Sequence, residues 1–149
     1  MIYYLVALIV VAIDQLSKWA VVQFMELFES IPVIEGWLHI TSSRNTGAAF
    51  SILQNKQWFL IPLSILVIVF IIYYIYKERK NKLFSFSLAL VLGGAVGNLI
   101  DRILTGSVVD FIDVRIINFA IFNIADSAIT IGVTLLIIDI IFFQKKIEK

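Results

Sequence analysis

The sequence has no cysteine and a single histidine, His39. Without cysteine there is no disulfide framework, no thiol nucleophile and no Cys-ligated metal. One histidine leaves no His-rich zinc site, and any Ser–His–Asp triad would have to use His39. Charge is also scarce. Asp, Glu, Lys and Arg make up 15% of the 149 residues, and the formal net charge is +1. A soluble domain averages about 25% charged residues. No basic face argues for nucleic acid as a partner. No internal repeat, low-complexity tract or linker divides the chain, so a single unit over 1–149 is expected. The groups left for chemistry are carboxylates, hydroxyls, amides, lysines and arginines.

Apolar residues are abundant: 60% of the chain, with a mean hydropathy of +0.97. A helix that crosses a bilayer needs about 20 mainly apolar residues. Four stretches qualify, roughly 2–25, 57–76, 83–104 and 122–143. The first has no basic leader and no small-x-small cleavage site, and reads as a retained span. The second carries no charge. Its Pro62 lies near the start, where a helix tolerates proline best. Trp58 at one end and Tyr73, Tyr74 and Tyr76 at the other read as interfacial anchors. The expectation is a mainly α integral membrane protein with four transmembrane helices.

Seven of the twelve basic residues lie in two short segments on one side of this arrangement: Lys77, Arg79, Lys80 and Lys82, and Lys145, Lys146 and Lys149. The positive-inside rule puts that side, and both termini, in the cytoplasm. The connections 26–56 and 105–121 are then outside. The first is too long for a simple turn. Its "GWLHITS" alternates with a period of two and predicts a strand in a small extracytoplasmic sheet. The second, "SVVDFIDVRIINFAI", is apolar for a loop and is expected to lie along the interface as a loop or short helix.

The costly residues converge on one level. Asp14, Gln15 and Lys18 fall in the outer half of span 1. Asn98, Asp101 and Arg102 fall at the outer end of span 3, and Asn123 and Asp126 at the outer start of span 4. Asp110, Asp113 and Asn45 lie in the outer loops, and only Asp139 sits at the cytoplasmic end. Intramembrane ionisable groups normally face a bundle interior or a wet cavity. The i, i+4 spacings of Asp14 and Lys18 and of Asn98 and Arg102 put each pair on one helix face.

Each group has a plain and a functional reading. Two carboxylates held close, Asp110 and Asp126, can share a proton and activate water; plainly, Asp126 caps its helix start and Asp110 is a solvated loop residue. Asp101 and Arg102 read as an ion pair, with Asn98 left free for a substrate backbone. Lys18 reads as a snorkelling lysine paired with Asp14, although Asp14 lies deeper. Asn45 in "RNTGAAFS" reads as an Asn–x–Gly turn whose small residues allow close approach of a chain. "GGAVG" at 93–97 is a small-residue packing surface. Asp139 lies about 220° around the helix from Asp126 and reads as interfacial, near Lys145 and Lys146. His39 reads as a strand residue. A Ser–Lys dyad with Ser17, Ser42, Ser43, Ser107 or Ser127 stays open. So does a proton-coupled carrier using Asp14, Asp101 and Asp126, although a carrier needs polar groups near the midplane.

"DQLSKW" (14–19), "RNTGAAFS" (44–51), "GNLIDR" (97–102), "VVDF" (108–111) and "FNIADS" (122–127) occur in this order. Together they resemble the lipoprotein signal peptidases of bacteria (signal peptidase II), an aspartic peptidase family of the inner membrane. The resemblance implies a four-helix peptidase with a small extracytoplasmic sheet, acting on diacylglyceryl-modified prolipoproteins among membrane lipids; a monomer is expected. It implies cleavage just before the lipidated cysteine at the outer leaflet, with no metal or cofactor. It marks Asp110 and Asp126 as the catalytic pair, with Asp113 a less favoured substitute for Asp110. It marks Asp14, Lys18, Asn45, Asn98, Asp101, Arg102 and Asn123 as site-building or substrate-contacting.

Overall fold

The structure is a computed structural model that describes residues 1–48, 52–117 and 119–143. Ala49, Phe50 and Ser51 of the "RNTGAAFS" motif, and the tail lysines Lys145, Lys146 and Lys149, lie outside the described residues. Among the described residues, four helices are long and apolar enough to cross a membrane: α1 (Ile2–Phe24), α2 (Gln57–Lys77), α3 (Lys82–Thr105) and α4 (Ile124–Ile138), the last together with the turn that continues it to Phe142. A π-helical turn over Asp139–Phe143 continues α4. The four expected spans are all present, with ends within two residues of the expected ones.

Helix α3 is the central one. Half of its most apolar 18-residue window is buried inside the protein, against 22% for each of the other three. Its small residues explain the difference. A Cβ on Gly93 would lie 2.6 Å from the Val10 side chain of α1. One on Gly94 would collide with the Ala125 carbonyl of α4, and one on Gly97 with the Asp14 carboxylate of α1. Gly93 and Gly97 face α1, while Gly94 faces α4, so "GGAVG" packs two neighbours at once. Asn81 opens α3 by accepting the Phe84 N–H at 3.1 Å. Gly106 closes it with φ +73°, a left-handed conformation that glycine adopts without Cβ strain. At the end near the α2–α3 connection, Ala7, Ile71, Ile75, Leu88 and Leu92 form an apolar cluster joining α1, α2 and α3.

At the other end a three-stranded antiparallel sheet runs in the order β1-β2-β3: Ser30–Ile34, Leu38–Asn45 and Val108–Val114. Leu38–Ser42 of the alternating "GWLHITS" lie in β2, as expected, and Gly36 and Trp37 form the turn before it. The second connection differs from expectation. "VVDFIDV" is not an interfacial loop but strand β3, followed by a short 3-10 turn at Arg115–Ile117. Its β-branched residues suit a strand. One of its faces is covered because Val109 and Phe111 pack on Val21 of α1. The register pairs Ser43 with Asp110 and Asn45 with Val108, and shifts between Ile40 and Ser43. The Phe122 carbonyl accepts the N–H groups of Phe111 and Ile112 at 3.0 and 2.7 Å. This ties β3 to the residue just before α4, and so brings Asp110 up to the α4 N-terminus.

Candidate active site

Helix α4 begins with a reciprocal cap. The Asn123 side-chain oxygen accepts the Asp126 N–H at 2.9 Å, and the Asp126 carboxylate accepts the Asn123 N–H at 3.4 Å. This fixes the Asn123 amide. Its oxygen is committed to a donor, so its NH2 must face acceptors. It reaches Asp110 Oδ1 at 2.7 Å, with Asn98 Oδ1 and the Val109 carbonyl at 3.2 and 3.3 Å. The capping reading of Asp126 is therefore correct, and it coexists with a second carboxylate held by the same capping residue.

Behind the pair lies a buried ionic centre. Lys18 Nζ reaches Asp14 Oδ2 at 2.8 Å, Asp101 Oδ2 at 3.0 Å and Asn98 Oδ1 at 2.9 Å. An ammonium can only donate, so Asn98 must present its oxygen to Lys18. Its NH2 then donates to Asp126 Oδ1 at 2.8 Å. One charged group on α1 thus sets the direction of an amide on α3, which in turn holds a carboxylate on α4. The other oxygens of the centre are also used. Asp14 Oδ1 accepts the Ala125 N–H at 2.9 Å, one of the free amides of the first turn of α4. Asp101 Oδ2 accepts the Val109 N–H of β3 at 3.1 Å. Gln15 donates to Asp101 Oδ1 at 2.9 Å and to the Gly97 carbonyl at 3.1 Å.

These contacts correct two sequence readings. Lys18 does not snorkel: it is 2% exposed and faces the bundle interior. Asp101 pairs with Lys18, not with its helix neighbour Arg102. Arg102 instead donates to the Gly47 carbonyl at 3.0 Å and, weakly, to the Asn98 carbonyl at 3.4 Å. The physical reason is direction. Asp101 and Arg102 are adjacent on α3, where neighbouring side chains diverge by about 100°.

A cavity of about 680 Å³ opens in front of the pair. Its polar end carries Asp110, Asp126, Asn45, Asn98 and Arg102. Leu60, Leu63 and Val67 of α2 and Ile129 of α4 line the rest. Asp14, Lys18, Asp101 and Asn123 form the hydrogen-bonded layer behind that wall. Asp110 is 3% exposed. Burial, and then the negative charge of Asp126, push its carboxyl up to about 7; the amides of Asn45 and Asn123 and the Lys18 charge pull the other way.

Other candidates fall elsewhere. Asp113 shares β3 with Asp110 but bonds Thr41 at 2.8 Å and Arg115 at 2.9 Å. Burial acts to raise its carboxyl, but these partners outweigh burial and hold it below the usual value. It does not line the cavity. Asn45 makes the expected turn, accepting the Gly47 N–H at 2.9 Å. His39 is a strand residue, 3.1 Å from the Ser30 hydroxyl. Asp139 is 2% exposed and accepts the Asn81 amide at 2.9 Å, at the end of the bundle where it was expected; Lys145 and Lys146, its expected neighbours, lie outside the described residues. The hydroxyls of Ser17 and Ser127 donate to carbonyls of their own helices, and neither meets Lys18. Among the described residues no cluster of three or more His, Cys, Asp or Glu side chains could hold a metal ion. Sequence reasoning gave no role to Gln57, and none to Gly97 beyond helix packing. Only the close approach of Asp14 reveals what the missing side chain at 97 permits.

A family model for signal peptidase (SPase) II matches residues 6–142. Among solved structures, a bacterial membrane enzyme determined by the in meso method at 2.3 Å resolution is 43% identical, with a TM-score of 0.89. The match covers 93% of this chain and 86% of that one. A second bacterial membrane enzyme, at 1.9 Å resolution, is 42% identical with a TM-score of 0.87, covering 95% and 94%.

Proposed function

The chain belongs to the signal peptidase II family, aspartic-type endopeptidases of bacterial membranes, and on that premise we propose that Asp110 and Asp126 are its catalytic pair. The substrate is a prolipoprotein carrying diacylglycerol on the cysteine that follows the scissile bond. One observation carries this reading. Two carboxylates, Asp110 of β3 and Asp126 in the first turn of α4, are held by the amides of Asn123 and Asn98 at 2.7 and 2.8 Å and both line the polar end of an otherwise apolar cavity.

The pair shares one proton near neutral pH, because two adjacent carboxylates cannot both ionise cheaply. The ionised member takes a proton from water. The resulting hydroxide attacks the peptide carbonyl, and the protonated member hydrogen-bonds the developing oxyanion. The tetrahedral intermediate collapses as the leaving amine takes a proton from the pair. Arg102, Asn45 and Asn98 lie where a peptide backbone would run along the polar wall, while Leu60, Leu63 and Val67 offer an apolar face to the lipidated residue.

The basic α2–α3 connection lies at the opposite end of the bundle from the sheet. By the positive-inside rule the site faces the outer leaflet and the N-terminus the cytoplasm. A single chain supplies every group this chemistry needs, so the reading is of a monomer. The decisive experiment is cleavage of a diacylglyceryl-modified prolipoprotein peptide by the purified protein in detergent. Asp110→Asn and Asp126→Asn, each shown to be folded, should both lose turnover, while chelator should leave the wild type unchanged. Near-normal turnover in either variant would remove the pair from the mechanism.

A further inference from the structure

The first residue of α2 joins the two walls of the cavity. Gln57 Nε2 donates one hydrogen to the Thr46 carbonyl and the other to the Gly106 carbonyl, both at 2.8 Å. Thr46 lies in the turn that leaves β2 beside Asn45. The next carbonyl, that of Gly47, receives Arg102 at 3.0 Å. Gly106 is the left-handed cap that ends α3 and leads into β3, four residues before Asp110. A single amide thus spans the turn that carries Asn45 and the turn that delivers Asp110. The direction of that amide is fixed by its neighbours. Both facing groups are carbonyls, so only the NH2 can meet them. The side-chain oxygen is buried and meets no donor among the described residues.

We propose that Gln57 is a positioning residue that holds the substrate-receiving wall at its working distance from Asp110. It does not line the cavity, and it touches neither carboxylate of the pair. The pair has its own supports in Asn98 and Asn123, which do not depend on α2. Loosening the Gln57 clamp should therefore affect how the peptide is held and leave the proton chemistry alone. The inference rests on the peptidase reading above.

The test uses full-length protein in detergent with Gln57→Met, Gln57→Glu and Gln57→Lys. Methionine keeps the length and helix propensity but has no donor. Glutamate faces two carbonyls with acceptors only. Lysine restores donors on a longer stem. Two measurements are made: apparent KM and kcat across pH for the lipidated peptide, and amide hydrogen exchange of segments 45–48 and 106–110. Gln57→Met should raise apparent KM about tenfold, as expected for losing two ordinary hydrogen bonds. Its kcat should stay within about twofold, its pH profile unchanged, and exchange in both segments should quicken. Gln57→Glu should be worse, and Gln57→Lys should recover both measurements. Unchanged KM and exchange in Gln57→Met would overturn the proposal, as would a shifted pH profile, which would assign Gln57 to the pair itself. If the wild type does not cleave the peptide, the peptidase reading falls. The exchange comparison still decides the clamp: faster exchange reversed by lysine supports it, and unchanged exchange overturns it.

Discussion

Both ends of the helix bundle bury an aspartate against an asparagine amide, and of the two only Asp110 lines the cavity. Asp139 accepts Asn81 at 2.9 Å; Asp110 accepts Asn123 at 2.7 Å. The two carboxylates are equally buried, at 2% and 3% exposure. They differ in what stands beside them. Asp139 fastens the π-helical end of α4 to the residue that caps α3, in a seam between two helices. Asp110 faces a second carboxylate and a cavity, and its supporting amide belongs to a chain of contacts that leads back to Lys18. A buried carboxylate by itself is thus weak grounds for chemistry. A second one, sharing the same supports and open to a cavity, is strong grounds.

The sharpest way to break this comparison is to neutralise one carboxylate at each end. Asp110→Asn or Asp126→Asn should lower kcat by about 10²–10⁴-fold, the range for removing a general acid or base, with the thermal midpoint in detergent little changed. Asp139→Asn should leave turnover within about twofold. A large loss of turnover on changing Asp139 would mean that both ends serve the chemistry.

Next in size is the support behind the site. Lys18→Met leaves Asp14 and Asp101 buried without their cation and should cost about 3–5 kcal/mol of stability, the penalty for breaking a buried ion pair from one side. It also frees Asn98 to turn its amide, so the activity that remains should show an altered pH profile. Thermal unfolding and a pH–rate series on the variant measure the two effects separately. Gly97→Ala puts a Cβ against the Asp14 carboxylate and should cost about 1–3 kcal/mol by overpacking.

The smaller effects concern pH. The Asp110 carboxyl lies at about 7 in the folded protein, above the ordinary 3.8. The folded state therefore holds a proton that the unfolded state has already released. This contribution to stability is fully present below about pH 3.8 and is lost as pH rises through about 7. Asp110→Asn should flatten the slope of thermal midpoint against pH between 4 and 7. Turnover should decline above about pH 7, as the last proton leaves the pair. A wild-type stability that rises across this window would contradict the assignment.

Much of this was legible in the sequence, for reasons that are local. Hydropathy over about 20 residues marks a span wherever it occurs, so all four helices were found. The alternation in "GWLHITS" marked β2 in the same way. Strand β3 was missed because its side chains are apolar on both faces, and such a run has no period to betray it. Its partner β2 lies more than 60 residues earlier in the chain. Lys18 departs from its local pattern for a related reason. Its helix neighbour Asp14 was visible at i−4, but Asp101 and Asn98, which draw it inward, lie some 80 residues away. The motif order pointed to Asp110 over Asp113, whereas spacing alone did not separate them. The register of β3 separates them in space: Asp110 pairs with Ser43 and lines the cavity, while Asp113 pairs with His39 and bonds Thr41 and Arg115.

Composition and short-range pattern fix the bilayer as the surrounding medium, the number of spans, the single level at which polar groups gather, and an inventory in which carboxylates are the best-placed reactive groups. These follow from composition and short-range periodicity, which each segment carries whatever it packs against. Tertiary packing alone sets which way the amides of Asn98 and Asn123 point, that Asp101 meets Lys18 and not Arg102, and that Gln57 bridges two turns. Those outcomes depend on matching donors with acceptors between segments far apart in the chain. Burial makes each mismatch costly, and that cost leaves few arrangements open.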